Sequence, residues 1–524
     1  MADAQRQQDH SLDEPSETAP LLGNPPQRPR HRPGLSVTSI RSITSINVPK
    51  AHKNSTIILF LYIIVFVASS ADGFIELPLT RILEDTICHD YYEKSPDQHI
   101  DERLCKENPI QQKVAYIFAI LSALQAIVSF VAALPWGVAA DKIGRKPVVF
   151  INIFGLILGA IWALIVVYWR LPITAIWASC LGQLIGGGNT VLLAIILSMI
   201  SDATKEEERA IAFMRLHVAS LCGNFLSPTL AALVMQSIGP WPSPWIGIAL
   251  LFSAAVAFLF LPETLRHKRN PPVPEQSRRE TSTPGSKISS ALNEMRESLS
   301  MLKSPSLVLL ILTALSGPPM AFSTLNFMNQ FVSKRYHIKI ASTGYIQTLY
   351  GIAHVIMSLL VLPLLSKYLM RPSVPANFRP KDEQHRDLTL ARYSYIFIFI
   401  GALILGLSPT LGGFILGLLV MAIGSGYNSL VRSMMSVFVN PEHSSRLFSI
   451  YAMVETAAKV YAQPMLAGTF ALGLKWQGEW IGLPYFALAA LTLGTIVCLV
   501  LVRLPKTYGG ALKSPVEEGN DLDA

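Results

Sequence analysis

The sequence predicts an all-α membrane protein of about twelve transmembrane helices arranged in two pseudo-symmetric six-helix bundles. Three observations carry that expectation. Hydrophobic residues make up 51% of the 524 and charged residues only 15%, well under the roughly 25% usual in soluble domains. The apolar residues lie in runs of about 20, the length that crosses a hydrocarbon core about 30 Å thick. A short polar pattern from the first half also recurs in the second. In lipid such runs fold as helices, because their backbone N–H and C=O groups find no water.

The runs cover 56–76, 113–135, 148–168, 174–200, 211–236, 243–262, 306–331, 342–365, 393–408, 410–436, 446–471 and 481–502. Ser408-Pro409 and Gly412-Gly413 either separate two spans or kink one long helix. Residues 1–54 are rich in Pro, Arg and Ser and read as a disordered cytoplasmic tail. With no apolar signal core, the first span is expected to act as an uncleaved anchor. The domains expected are a six-helix bundle over 55–262, a cytoplasmic linker over 263–305, a second bundle over 306–503 and a cytoplasmic tail over 504–524. The linker is Pro- and Ser-rich with clustered charge, and SSALNEMRESLSMLKS reads as a short amphipathic helix on the inner membrane surface.

The recurring pattern is small-small-Asn, then Arg, then Pro. Gly186-Gly187-Gly188-Asn189 is followed by Arg209 and Pro228, and Gly424-Ser425-Gly426-Tyr427-Asn428 by Arg446 and Pro464. Weak similarity between halves is what a parallel-repeat transporter shows.

The net charge of +8 does not point to nucleic acid. The basic residues form no single block; they lie in the tails and in alternate loops, as in a membrane protein with basic cytoplasmic loops. Residues 77–112 are expected to be an acidic outer loop, carrying Glu84, Asp85, Glu102 and Glu107 among others. Lys334, Arg335 and Lys339 break the charge rule, which leaves them a substrate-facing or lipid-facing role. Cys180, Cys222 and Cys498 sit in apolar runs as small core residues. Cys88 and Cys105 share the outer loop, where they form a disulfide closing about 17 residues or stay as two free thiols; the disulfide is favoured. No CxxC or CxxH occurs, so no metal or cofactor is expected. No G-x-x-x-x-G-K-[ST] loop is present, which disfavours an ATP-driven pump or other enzyme.

Between the second and third runs the chain reads Gly137-Val-Ala-Ala-Asp141-Lys142-Ile-Gly144-Arg145-Lys146. This resembles the signature loop GxxxD(R/K)xGR(R/K) of the major facilitator superfamily at every defined position and in the expected place. Gly137 and Gly144 allow close approach and tight turning. Asp141 sits among cations and near helix ends. The resemblance implies that Asp141 and Arg145 stabilise the outward-facing state, with Arg209 as a partner. Pro262-Glu263-Thr264 resembles a sequence that ends the sixth span in the superfamily. Gly223 to Ala232, around Ser227-Pro228, resembles its antiporter motif; ordinary packing of small residues explains it equally well. Where many proton antiporters carry an intramembrane Arg in the fourth span, this chain has Gly182. TRILEDTICHDYYEK is locally similar to fungal relatives of proton-coupled folate-type carriers.

Ionisable groups inside spans mark functional sites by default. Glu455 is expected near mid-depth of the eleventh span, with Lys459 one turn on. It either exchanges a proton or forms a permanent ion pair with Lys459. His354 lies in the eighth span, where a hydrogen-bonded packing role is favoured over proton coupling. Asp72 and Glu76 are expected at the outer end of the first span, as interfacial residues or the mouth of the path. Asn189, Asn326 and Asn428 supply hydrogen-bonding groups to a cavity or between helices, and Arg215 and Arg432 are expected to snorkel.

The function expected is a secondary transporter for a small organic solute, coupled to protons, exporting a drug or secondary metabolite. Uptake by symport, or a receptor on the same scaffold, are the alternatives. The plasma membrane is slightly favoured over a vacuolar one, which the dileucine-like Glu17-Thr-Ala-Pro-Leu21-Leu22 suggests.

Overall fold

The computed structural model describes residues 54–95, 98, 100–204, 206–261, 304–370, 382–436, 438 and 444–504, without the side chains of 134, 141, 206–211, 383, 436, 444–446, 448 and 449. The dileucine sequence, most of the linker with its expected amphipathic helix, and the C-terminal tail lie outside the described residues, as do the side chains of Asp141, Arg209 and Arg446. Helix is the only regular structure among the described residues.

The first half runs α1 (Asn54–Tyr91), α2 (Asn108–Ile143), α3 (Arg145–Tyr168), a 3-10 segment (Ile173–Leu184), α4 (Gly188–Ala203), α5 (Glu206–Ile238) and α6 (Pro242–Leu259). The second runs α7 (Pro305–Leu312), α8 (Gly317–Leu325), α9 (Phe327–Tyr336), α10 (Ile340–Ile356), α11 (Leu362–Leu369), α12 (Glu383–Leu407), α13 (Leu411–Ile423), α14 (Tyr427–Ser436), α15 (Ser444–Trp476) and α16 (Leu483–Leu501). Consecutive α pieces join into single crossings, α7 to α9 for instance. Among the described residues, eleven helices are long and apolar enough to cross a membrane. The twelfth crossing is α15, 33 residues long, whose Glu455 and Lys459 lower its apolar character.

Two expected boundaries change. The first span was expected to end at 76 and open into a loop; α1 instead continues through Pro78 to Tyr91, 38 residues in all. The acidic run is itself helical: Arg81 lies 3.2 Å from both Glu84 and Asp85, the i,i+3 and i,i+4 spacing that supports a helix. Its apolar face, with Leu79, Ile82, Leu83 and Ile87, is buried against α2 and α3. The fourth span is broken rather than continuous. Gly186, Gly187 and Gly188 all adopt positive φ, where glycine pays no steric penalty. Buried Asn152 of α3 satisfies the exposed carbonyls, its Nδ2 donating to Gly186 O at 2.7 Å and Gly188 O at 2.8 Å. The break near Ser408 is a true turn between α12 and α13, with Thr410 capping Gly413.

One end of the molecule carries Cys88–Cys105, joined in a disulfide; the other carries the signature loop between α2 and α3. Exposed aromatic pairs, Tyr168 with Trp241 and Trp476 with Trp480, ring the disulfide end as an interfacial belt. The core of the second half is an aromatic cluster in which the Phe331 ring lies 4.8 Å from Tyr485 and 5.8 Å from Phe414.

The halves meet chiefly through α2 against α15 and α5 against α10. Small residues permit the second contact. A Cβ on Gly344 would overlap the Pro228 carbonyl, and one on Gly351 the Phe225 ring; Thr229 and Thr348 hydroxyls bond at 2.8 Å beside them. The antiporter-like stretch therefore lies at this junction, with Gly73 of α1 against Ser227. We expect Gly344→Val to lower stability in detergent by about 1–3 kcal/mol through overpacking. Gly494→Val, where nothing lies within 4 Å of the new Cβ, should leave the unfolding temperature unchanged.

Candidate functional site

Between the halves, near the disulfide end, is a recess lined by Glu76, Thr80, Ser122, Asn326, Gln330 and Gln463 together with Ala115, Phe118 and Phe327. Four elements build it. α1 supplies Glu76 in mid-helix, because the chain continues for four further turns. α2 supplies the small residues that leave the space open. Asn326 stands at the break between α8 and α9, and Gln330 follows one turn later on the same face. Asn326 Nδ2 donates to Glu76 Oε1, a bond from one half to the other. Asp72 is exposed one turn nearer the signature-loop end. Among the described residues, no basic side chain lies within 4.0 Å of either carboxylate. Asp72 and Glu76, expected at the outer end of the first span, stand inside a continuous helix.

Hydrogen bonds between the halves run from the disulfide end to the middle of the molecule. Asn108 Nδ2 donates to Leu474 O at 3.1 Å and Gln112 Nε2 to Ala471 O at 3.3 Å. Thr348 Oγ1 donates to Phe225 O. Among the described residues none is found nearer the signature-loop end.

Glu455 does not pair with Lys459. Its Oε2 accepts from Arg432 Nη2 of α14 at 3.1 Å, and among the described residues Lys459 has no carboxylate within 4.0 Å. Lys459 lies one turn on, but Arg432 comes from the facing helix and reaches the carboxylate directly. Arg432, expected to snorkel, is thereby paired with Glu455. It lies 5.1 Å over the Tyr451 ring, and Tyr451 donates to Asn428 Oδ1 at 3.1 Å. Asn428 is therefore tied to a helix neighbour, while Asn189 is exposed at the start of α4.

His354 packs between Phe225 and Tyr350, both rings 5.8 Å away. The hydrogen bond favoured for it is missing at Nδ1, which is buried with no partner among the described residues.

In the signature loop Gly144 takes φ 102° at the turn, a conformation that suits glycine. Arg145 forms an ion pair with Asp202 in the last turn of α4. Lys146 donates to Leu259 O at 3.0 Å and to Leu261 O, capping the C-terminal end of α6. Lys142 is exposed. Among the described residues the close approach expected at Gly137 is absent, with nothing within 4 Å of its Cβ position. Lys334 and Arg335 are both half-buried and engaged by backbone carbonyls. Lys334 donates to the Lys106 carbonyl and Arg335 Nε to Ser408 O at 3.1 Å, and Lys339 is the exposed residue preceding α10.

Gln330, Gln463 and Ser122 escaped sequence reading. Only the four-residue spacing of Asn326 and Gln330 hinted at a shared face; Gln463 and Ser122 carry no local signal.

Residues 115–453 match the model of the Major Facilitator Superfamily. The chain is 28% identical to the MFS efflux pump atnC of Emericella nidulans, covering 82% of this chain and 85% of that protein. It is 27% identical to the MFS-type transporter aprT of Aspergillus flavus, covering 96% and 98%. Among solved structures, the human organic anion transporter MFSD10 superposes with a TM-score of 0.52 at 14% identity, covering 85% of this chain and 99% of that one. The nucleoside transporter NupG gives 0.55 at 14%, covering 85% and 98%.

Proposed function

The chain belongs to the major facilitator superfamily, and on that premise we propose that it exports a small organic solute by alternating access, with Glu76 carrying the proton that drives each cycle. The observation that carries this reading is the Glu76 carboxylate in a recess shared by both halves, bonded to Asn326 across the divide. With an amide partner and, among the described residues, no cation in ion-pair range, this carboxyl can gain or lose a proton without breaking a salt bridge. Glu455 is held by Arg432, so its expected proton exchange would first have to break that pair; we assign it to fixing α14 against α15.

The basic loops favour a cytoplasmic signature-loop end. We take the recess to open toward that end, because the hydrogen bonds found between the halves among the described residues lie at the disulfide end and in the middle. Solute entering there displaces the proton from Glu76, and Asp72, one turn nearer the cytoplasm, takes it and releases it to the cytoplasm before the halves move. The halves then rock, the disulfide end opens, and a proton from outside returns to Glu76 as the solute leaves. Gly137, facing open space now, is placed to meet its neighbour in that second state. Similarity to a protein named as an efflux pump supports the outward direction, and the plasma membrane is the expected location.

Purified protein in proteoliposomes, offered a panel of organic solutes, tests the proposal. A proton gradient should drive at least one solute against its own gradient, with one proton-linked flux abolished by a protonophore. Flux that ignores the gradient would contradict the coupling.

A further inference from the structure

At the disulfide end, the first half presents a rigid platform to the second. Cys88 and Cys105 are joined, and both are fully buried. Against them lies a buried ion cluster: Lys106 Nζ is 2.7 Å from Glu84 Oε1 and 3.2 Å from Glu102 Oε1, and Arg81 Nε is 3.5 Å from Glu102 Oε2. Gln111 Nε2 donates to Glu84 Oε1 at 2.5 Å and to Cys105 O at 3.0 Å.

Three groups of this platform reach the second half. Gln111 O and Oε1 accept from Gln330 Nε2 at 2.7 Å and 3.2 Å. Glu102 Oε1 accepts from Ile340 N at 2.8 Å, satisfying a free amide at the start of α10. The Lys106 carbonyl accepts from Lys334 Nζ. Gln330 also lines the Glu76 recess.

We propose that the disulfide-pinned platform is the fixed jaw of a gate at this end, and that Gln330 couples the gate to the solute recess. The two sides of the contact differ in kind. Within the platform, a covalent bond and mutually satisfied buried charges hold one geometry, because removing any partner strands another. Across the gate, among the described residues, the polar contacts are a few hydrogen bonds, each of modest net strength, and no covalent bond or buried ion pair joins the two sides, so the gate parts while the platform stays whole. The Gln330 amide is shared: a solute in the recess that takes its N–H groups removes them from Gln111 and releases α9 from the platform. Solute binding thereby loosens the end through which the solute must leave. The inference rests on the alternating-access reading, but assigns control to residues that carry no proton.

The test uses full-length protein in nanodiscs, with Cys180, Cys222 and Cys498 replaced by Ala and spin labels on Trp169→Cys and Trp480→Cys, exposed positions of opposite halves at this end. In the parent protein a short distance should dominate. Gln330→Ala should raise the ratio of long to short distances about tenfold, the scale of one or two lost hydrogen bonds. Gln111→Ala should do so less, since the Gln330 bond to the Gln111 backbone survives. Cys88→Ser with Cys105→Ser should broaden the distribution as the jaw loosens; if that variant does not fold, Gln330→Ala decides. An unchanged distribution in Gln330→Ala, in a protein whose distances do lengthen on acidification, overturns the gate alone. Distances that never lengthen under any pH overturn both the gate and the transport cycle.

Discussion

Glu76→Gln is expected to lower proton-driven flux by about two orders of magnitude or more, the scale on which loss of a proton-carrying side chain acts. The substitution keeps the size of the side chain and its bond with Asn326, since an amide oxygen still accepts from Nδ2. It removes only the ability to change charge. Solute exchange without a gradient, which needs the halves to rock but no net proton movement, should therefore persist. Glu455→Gln offers the contrast. It breaks the ion pair with Arg432 at a partly exposed site and should cost about 1 kcal/mol or less in stability, with flux still responding to the gradient. Flux measured in the two variants, side by side in proteoliposomes, separates the carboxylate that couples from the one that packs. Gradient-driven flux surviving in Glu76→Gln would remove Glu76 from the mechanism.

Lys106→Met is expected to cost about 3–5 kcal/mol, the penalty for stranding one member of a buried ion pair. Lys106 and Glu84 are 3% and 1% exposed, so water cannot replace the lost partner. Arg81 stays near Glu84 at 3.2 Å, which places the effect toward the lower bound. Adding Glu84→Gln to Lys106→Met removes the stranded charge and should recover most of the loss. Thermal unfolding in detergent, across the four proteins of this cycle, reads the coupling directly. Additive losses would mean that the two residues do not depend on one another.

The sequence makes the membrane fold legible because the signal is chemical and local. A run of 20 apolar residues admits few structures in lipid, and the signature loop between α2 and α3 names the family from ten consecutive residues. What stayed hidden depends on partners far apart in the chain. Hydropathy stopped the first span at Glu76, where the residues turn polar, although Arg81, Glu84 and Asp85 stand at helical spacing and the helix runs on. Glu455 looked toward Lys459 because both lie on one helix; its partner Arg432 comes from the neighbouring one. The ends of the fourth span were legible, but the break at Gly186–Gly188 also needed Asn152, more than thirty residues away. Gln330 reads as an ordinary polar residue until Gln111 is brought opposite it.

The central claim is that the halves move so that the recess opens to one end at a time. Spin-label distances at both ends of the same protein test it most directly, with Trp169 and Trp480 reporting the disulfide end and Ile143 and Tyr368 the signature-loop end. As solute and pH are varied, the account predicts that one distance lengthens while the other shortens. Two distances that stay fixed, or that lengthen together, would contradict it.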